Sequence, residues 1–236
     1  KIKKISKNFQ IIKIQDGRVK FNNQKKLNVN NLNAVLKGKD NLSANGKFDL
    51  DYLNSKIIFD FFEVRENQFD LIMQKKINGK NKLDFSGKVI FFQNDYAVDG
   101  KIKSEFLNLD ELLKINEQFS KLSKNNHISI NANNKNNKKV IFNVKKLLIQ
   151  DILLDDLKFT LINQYPHLKV QNFESKFENS KISGLSLINL KTNKVNGELN
   201  LENFYVKESY FGKTKYDLLD GQLNCNIKFN YLIGKY

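Results

Sequence analysis

Apolar and polar residues alternate along most of the chain with a period of two, the mark of half-buried strands. Leu42, Ala44, Gly46, Phe48 and Leu50 alternate with polar neighbours, and Phe69, Leu71 and Met73 repeat the pattern. It returns at Leu83, Phe85, Gly87 and Val89, at Tyr96, Val98, Gly100 and Ile102, and at Val140, Phe142 and Val144. Leu157, Phe159 and Leu161, then Val195, Gly197, Leu199 and Leu201, then Leu223, Cys225, Ile227 and Phe229 complete the series. One face of each predicted strand is apolar and the other carries Lys, Asn, Asp or Ser. That suits antiparallel meanders, because strands of a parallel sheet are buried on both faces and read as unbroken apolar runs.

Turn chemistry adds detail. Asp16-Gly17 is a strong two-residue hairpin signal, since both central positions of a type I′ turn need φ > 0. A hairpin there sets Ile14 opposite Val19 and Ile12 opposite Phe21. At Asn78-Gly79 a two-residue loop would put Met73 opposite Asp84, apolar against polar. A three-residue loop at Ile77–Gly79 instead sets Met73 opposite Leu83 and Leu71 opposite Phe85. The second is expected, because a one-residue slip turns an apolar face outward.

One short helix is predicted, capped by Asp110 and running through Glu111, Leu112, Leu113, Ile115 and Phe119 with acids in its first turn. The chain divides around it into a first β-sheet segment, 1–108, a helical and Lys/Asn-rich joint, 109–138, and a second β-sheet segment, 139–236. A loose repeat of Gly, polar, apolar recurs at Gly46, Gly87, Gly100, Gly197 and Gly221. The first four lie on apolar-face positions, where glycine permits a bend or close backbone approach. The expected fold is mainly β: an elongated, strongly curled antiparallel sheet, either an open groove or sandwich-like. Pattern alone favours a closed sandwich.

Composition changes the picture only in part. The 236 residues are 40% hydrophobic with 19 Phe, enough for a sizeable core and not the composition of a disordered chain. No run of about 18 apolar residues is present to cross a membrane as a helix. No signal peptide is read at the start, and both ends read as cut, so a segment of a longer protein is expected. The net charge of +15 points toward nucleic acid or an anionic membrane surface. Its supply points elsewhere: only Arg18 and Arg65 are arginines, and the lysines are scattered on the polar faces. Sequence-specific DNA readers use arginine forks, and stacking platforms need lysine and aromatics on one face. No nucleic-acid partner is expected.

Candidate chemistry is sparse. Cys225 is the single cysteine, so neither an intramolecular disulfide nor a cysteine zinc site is available. His127 and His167 lack neighbours at metal-ligand spacing. Asp49/Asp51 and Asp155/Asp156 read as exposed strand or turn acids. Nucleotide-binding and hydrolase motifs are absent. No catalytic residue, metal or cofactor is expected, and the chain reads as non-enzymatic.

Several stretches resemble the AsmA-like family of bacterial envelope proteins. Ile14 to Phe21 followed by Leu27 to Leu32 is similar to that family's opening hairpin and its "l-x-l-x-x-l" strands. Phe85 to Val89 and Val98 to Ile102, running into Phe106 to Leu113, resemble its sheet-to-helix junction. Leu168 to Phe173 and on to Gly184 resemble a second module, with Asn179 and Ser180 where that family has two glycines. The resemblance implies a periplasmic protein on the inner membrane of a Gram-negative bacterium, anchored by a segment outside this chain. It also implies phospholipid transport between membranes or outer-membrane assembly, with phospholipid acyl chains as ligand. The candidate groove residues are Phe48, Phe59, Phe61, Leu71, Phe85, Val98, Phe142, Phe159, Leu199 and Phe229. The alternative is a structural β domain of a surface or adhesin-like protein with a closed core.

Overall fold

In the computed structural model the described residues are 10–19, 28–38, 41–50, 55–65, 68–77, 81–92, 96–111, 138–206 and 221–232. They are nearly all β. The strands are β1 (Ile11–Val19), β2 (Val29–Lys37), β3 (Ser43–Leu50), β4 (Ser55–Arg65), β5 (Gln68–Ile77), β6 (Asn81–Phe91) and β7 (Tyr96–Ser104). They continue with β8 (Leu107–Asn108), β9 (Lys138–Ile149), β10 (Ile152–Gln164), β11 (His167–Phe177), β12 (Ser180–Asn189), β13 (Lys194–Val206) and β14 (Gly221–Leu232). All belong to one sheet that does not close into a barrel. Each strand pairs with its neighbours in chain order, apart from β8, which pairs with β9 beyond the end of β7.

The sheet is a meander with one exception. β7 and β9 pair in parallel, Gly100 opposite Val140 and Ile102 opposite Phe142. A parallel pair needs a long crossover, and the connection from residue 105 to residue 137, which takes in the end of the first segment and most of the predicted joint, supplies it. The sheet therefore runs unbroken through both sequence segments. Within this connection only the start is described: β8, then a helical turn at 109–111. Its cap is Asn108, whose Oδ1 accepts from the Glu111 N–H at 3.1 Å. The expected cap, Asp110, instead accepts from the Gln150 N–H at 2.8 Å, tying the joint to the β9–β10 turn. The rest of the predicted helix lies outside the described residues.

Cross-strand partners share a face, so the register identifies one side of the whole sheet. From Ile12 the partners run Leu36, Ala44, Phe61, Leu71, Gly87 and Gly100. They continue through Val140, Leu161, Val170, Ser186, Gly197 and Phe229. This inner face is apolar over its full width, roughly 60 Å at ~4.8 Å per strand step. Among the described residues no second sheet packs on it, so the sandwich favoured by pattern is replaced by an open sheet. Even so, Ala44, Ile57, Phe69, Val89, Val144 and Val195 are buried. A flat sheet would leave each open from above; burial without a cover requires a curved sheet, whose concave side crowds its own side chains. Outward-facing Ile58, Ile72 and Leu185 are 46%, 54% and 56% exposed by contrast. The tightest packing is mid-sheet, where Leu107, Val144, Leu147 and Leu157 form a cluster joined by Leu83, Phe159 and Phe173.

Two devices curve the sheet. The first is glycine on the inner face. A Cβ on Gly87 would stand 2.5 Å from the Gly100 Cα and 2.6 Å from the Asp99 carbonyl oxygen. One on Gly100 would stand 2.5 Å from the Phe85 ring, which lies over this glycine pair. The second is a bulge that recurs in five strands, each with an Asn or Asp at positive φ: Asp16 (47°), Asn31 (50°), Asp156 (52°), Asn172 (52°) and Asn203 (53°). The register shifts beside each. The extra residue lets apolar spacing step from two to three without leaving the inner face: Val29 to Leu32, Leu154 to Leu157, Val170 to Phe173, Leu201 to Phe204. Asn and Asp tolerate this conformation because a short polar side chain bonds locally. Here it bonds across strands as well: Asn31 Nδ2 donates to Asp49 at 2.8 Å, and Asp16 Oδ1 accepts from Asn33 Nδ2 at 3.2 Å.

These devices correct two expectations. Asp16-Gly17 makes no hairpin: β1 runs straight through it, and the positive φ of Asp16 serves a bulge instead of a turn. Ile14 lies opposite Ala34 and Val19 opposite Val29. Between β5 and β6, three residues do separate the paired ends, Ile77 and Asn81, but the loop sits one residue later than expected. Met73 is opposite Phe85 and Leu71 opposite Gly87, a two-residue shift that keeps the same face inward. The loop residues themselves lie outside the described set.

Candidate binding face

All ten residues singled out by sequence fall on the inner face. Phe48 sits on β3, Phe59 and Phe61 on β4, Leu71 on β5, Phe85 on β6 and Val98 on β7. Phe142 and Phe159 are partners on β9 and β10, while Leu199 and Phe229 lie on β13 and β14. Each is half-buried. Aromatic contacts link them into rows: Phe48 to Phe59 at 5.9 Å, Phe61 to Phe69 at 5.6 Å, and Phe142 stacked on Phe159 at 4.4 Å with rings 6° from parallel. Such pairs add about 0.5–1.5 kcal/mol each beyond area burial.

Sequence reasoning passed over several residues that the register places on the same face. Ile57, Phe69, Val89, Val144 and Leu157 are buried more deeply than the ten. Phe69, Val89, Val144 and Leu157 sit in the alternating runs, so period two was signal enough to include them. A hollow of about 270 Å³ opens on this face among Leu42, Phe61, Phe69, Leu71, Val89 and Phe91, with no polar lining.

Polar groups on or beside the face are largely turned to the backbone. The Ser104 hydroxyl lies 2.6 Å from the Lys82 carbonyl, Ser175 donates to the Asp155 carbonyl at 2.9 Å, and Ser180 to the Asn203 carbonyl at 3.0 Å. These hydroxyls are satisfied internally and present nothing to a ligand. Cys225 is a half-buried free thiol opposite Leu201.

Most of the described lysines face the other way. Lys47, Lys88, Lys101, Lys103 and Lys139 pair across strands on the outer face, separated from the inner-face phenylalanines by the thickness of the sheet. A cavity of about 330 Å³ on the outer side is lined by Lys82, Asp84, Lys103, Glu105, Lys145 and Asp156, among others. Its acids are tied to lysines: Lys82–Asp84 at 3.2 Å, Lys145–Glu105 at 2.6 Å and Lys176–Asp156 at 2.9 Å. The last pair holds the Asp156 carboxyl below, and the Lys176 ammonium above, their ordinary ranges through a hydrogen bond and charge attraction. Exposed pairs of this kind are weak. His167 stands at the start of β11, and Asp49 is bonded to Asn31; His127 and Asp51 lie outside the described residues. Among the described residues no three His, Cys, Asp or Glu side chains gather as metal ligands. No described helix is long and apolar enough to cross a membrane.

The class defined by this geometry is an open, curved, nearly all-β sheet with one continuous apolar face. No family model, curated protein or solved structure matches the chain.

Proposed function

We propose that this chain is a non-enzymatic segment of an AsmA-like envelope protein whose inner face shields phospholipid acyl chains. The observation that supports the reading is the uncovered apolar strip, continuous through the thirteen strands of the sheet path. A contiguous apolar face without a layer over it marks a surface that meets lipid or another apolar partner. A chain of methylenes has no hydrogen-bonding needs, and the inner face offers almost no polar group. In this reading the protein works on the periplasmic side of the inner membrane, held there by a segment outside this chain. It takes part in phospholipid movement or outer-membrane assembly. A structural domain with a closed core would need a second layer over the face, and the described residues supply none.

The test is native mass spectrometry of the purified chain with lipid extraction. Co-purifying phospholipid supports the reading. If the protein is lipid-free, and a Phe85→Asp or Phe142→Asp variant keeps both stability and cellular function, the groove assignment is wrong.

A further inference from the structure

The two rims of the sheet, where strands end and turn, are chemically different. One rim gathers the β6–β7, β10–β11 and β12–β13 turns, the start of β9 and the end of β14, as the pairs Phe91–Tyr96, Gln164–His167, Asn189–Lys194, Val98–Lys138 and Lys194–Leu232 require. Large apolar side chains stand exposed along it: Phe91 (44%), Phe92 (49%), Tyr96 (43%), Leu190 (39%) and Leu232 (65%). Two tyrosines here carry lysines. Lys138 Nζ lies 4.3 Å from the Tyr96 ring centre, and Lys191 Nζ lies 5.7 Å from that of Tyr165. The opposite rim also exposes apolar side chains, Ile152 (48%), Leu153 (37%), Tyr205 (40%) and Leu223 (42%), but its described turns, Gln150-Asp151 and Glu178-Asn179, are polar and acidic.

We propose that the aromatic and lysine rim docks on the surface of an anionic phospholipid bilayer. Each part has a role there. Tyrosine and phenylalanine suit the boundary where one end of a side chain is apolar and the other wet. Lysine stems run along apolar surface while the ammonium reaches headgroup phosphates, and basic residues near an anionic surface each add attraction. At the other rim acids stand beside lysines, with Lys176 and Lys181 flanking the Glu178-Asn179 turn, so its attraction to the same surface is weaker and the charge difference orients the sheet with its strands pointing into the membrane interface. Phe91 lines both the rim and the inner-face hollow. Docking by this rim therefore brings the mouth of the hollow to the lipid. The docking stands without the acyl-chain reading and is measured separately from it.

The experiment uses the whole chain with vesicles of phosphatidylglycerol and of phosphatidylcholine. The sequence contains no tryptophan, so single reporters are clean: Phe92→Trp and Leu190→Trp on two turns of this rim, Leu153→Trp on the other. The first two are expected to shift to the blue and to be quenched by brominated phosphatidylglycerol, and Leu153→Trp to do neither. Affinity for phosphatidylglycerol falls at least about fivefold per reversed lysine in Lys191→Glu/Lys194→Glu. Lys146→Glu/Lys181→Glu, with the same net charge but away from the rim, loses much less. Equal responses from both rims, equal losses in both double variants, or no binding to phosphatidylglycerol would overturn the proposal.

Discussion

The glycine pair at the centre of the sheet gives a quantitative test of how the face is curved. Gly87 and Gly100 are cross-strand partners, and a methyl group on Gly87 would stand 2.5 Å from the Gly100 Cα and 2.6 Å from the Asp99 carbonyl oxygen. Both obstacles are backbone, so neither swings away. In Gly87→Ala the two strands must separate or flatten, an overpacking cost of about 1–3 kcal/mol. Alanine also restricts the unfolded chain, which returns roughly 0.4–1 kcal/mol. The net expectation is a loss of about 1–2 kcal/mol. Gly221 is the internal control: nothing lies within 4 Å of its would-be Cβ, so Gly221→Ala is expected to be neutral or slightly stabilising. Gly100→Ala falls between them, since the obstacle there is the Phe85 ring at 2.5 Å, a side chain that turns at lower cost. Urea denaturation followed by circular dichroism gives the order directly, as midpoint shifts at constant m-value. If Gly87→Ala unfolds at the wild-type midpoint, or Gly221→Ala loses as much as Gly87→Ala, close glycine contact is not what curves this sheet.

Three further outcomes concern a bulge, an outer-face ion pair and an inner-face aromatic stack. Asn172 has φ of 52° in mid-strand, so Asn172→Val is expected to destabilise by about 1–2 kcal/mol while Asn172→Gly is near neutral; equal effects in thermal melts would count against the bulge. The Asp156–Lys176 pair at 2.9 Å acts in a defined pH window. The lowered Asp156 pKa gives stability present above the ordinary carboxylate range and lost as pH falls through the folded value. The raised Lys176 pKa gives stability present below the ordinary lysine range and lost as pH rises through the folded value. A double-mutant cycle is thus expected to show a small coupling at neutral pH that vanishes in acid, in strong base and at high salt; a coupling unchanged in acid would refute it. Finally, Phe142→Ser breaks the 4.4 Å stack with Phe159 and is expected to cost about 3 kcal/mol, near the low end for large-to-small core changes, as read by denaturant midpoint.

Much of the face was legible in sequence because a period of two leaves no choice: residues of one parity share a side unless the register slips. Phe48, Phe85 and Phe229 are far apart in the chain, and all three land on one face. What escaped was the length of the alternation's errors. The step of three at Val170 to Phe173 looks like an interruption in sequence, yet the left-handed Asn172 absorbs it and both residues stay inward. At Asp16-Gly17 the same chemistry fits a hairpin or a bulge, and local preference cannot choose between them. The parallel pairing of β7 with β9 depends on the path of the joint, and nothing in Val140 to Val144 distinguishes a parallel neighbour. The aromatic rim was hidden for a similar reason. Phe92, Tyr165 and Leu190 share an end of the sheet only once the order of the turns is known.

The account rests on the inner face being open to lipid, and native mass spectrometry of the chain purified without detergent tests that directly. The account predicts adducts of phospholipid mass that disappear in a Phe85→Asp/Phe142→Asp variant whose far-ultraviolet circular dichroism still reports β structure. A lipid-free monomer that melts cooperatively, with an inner face closed to apolar dyes, would contradict it.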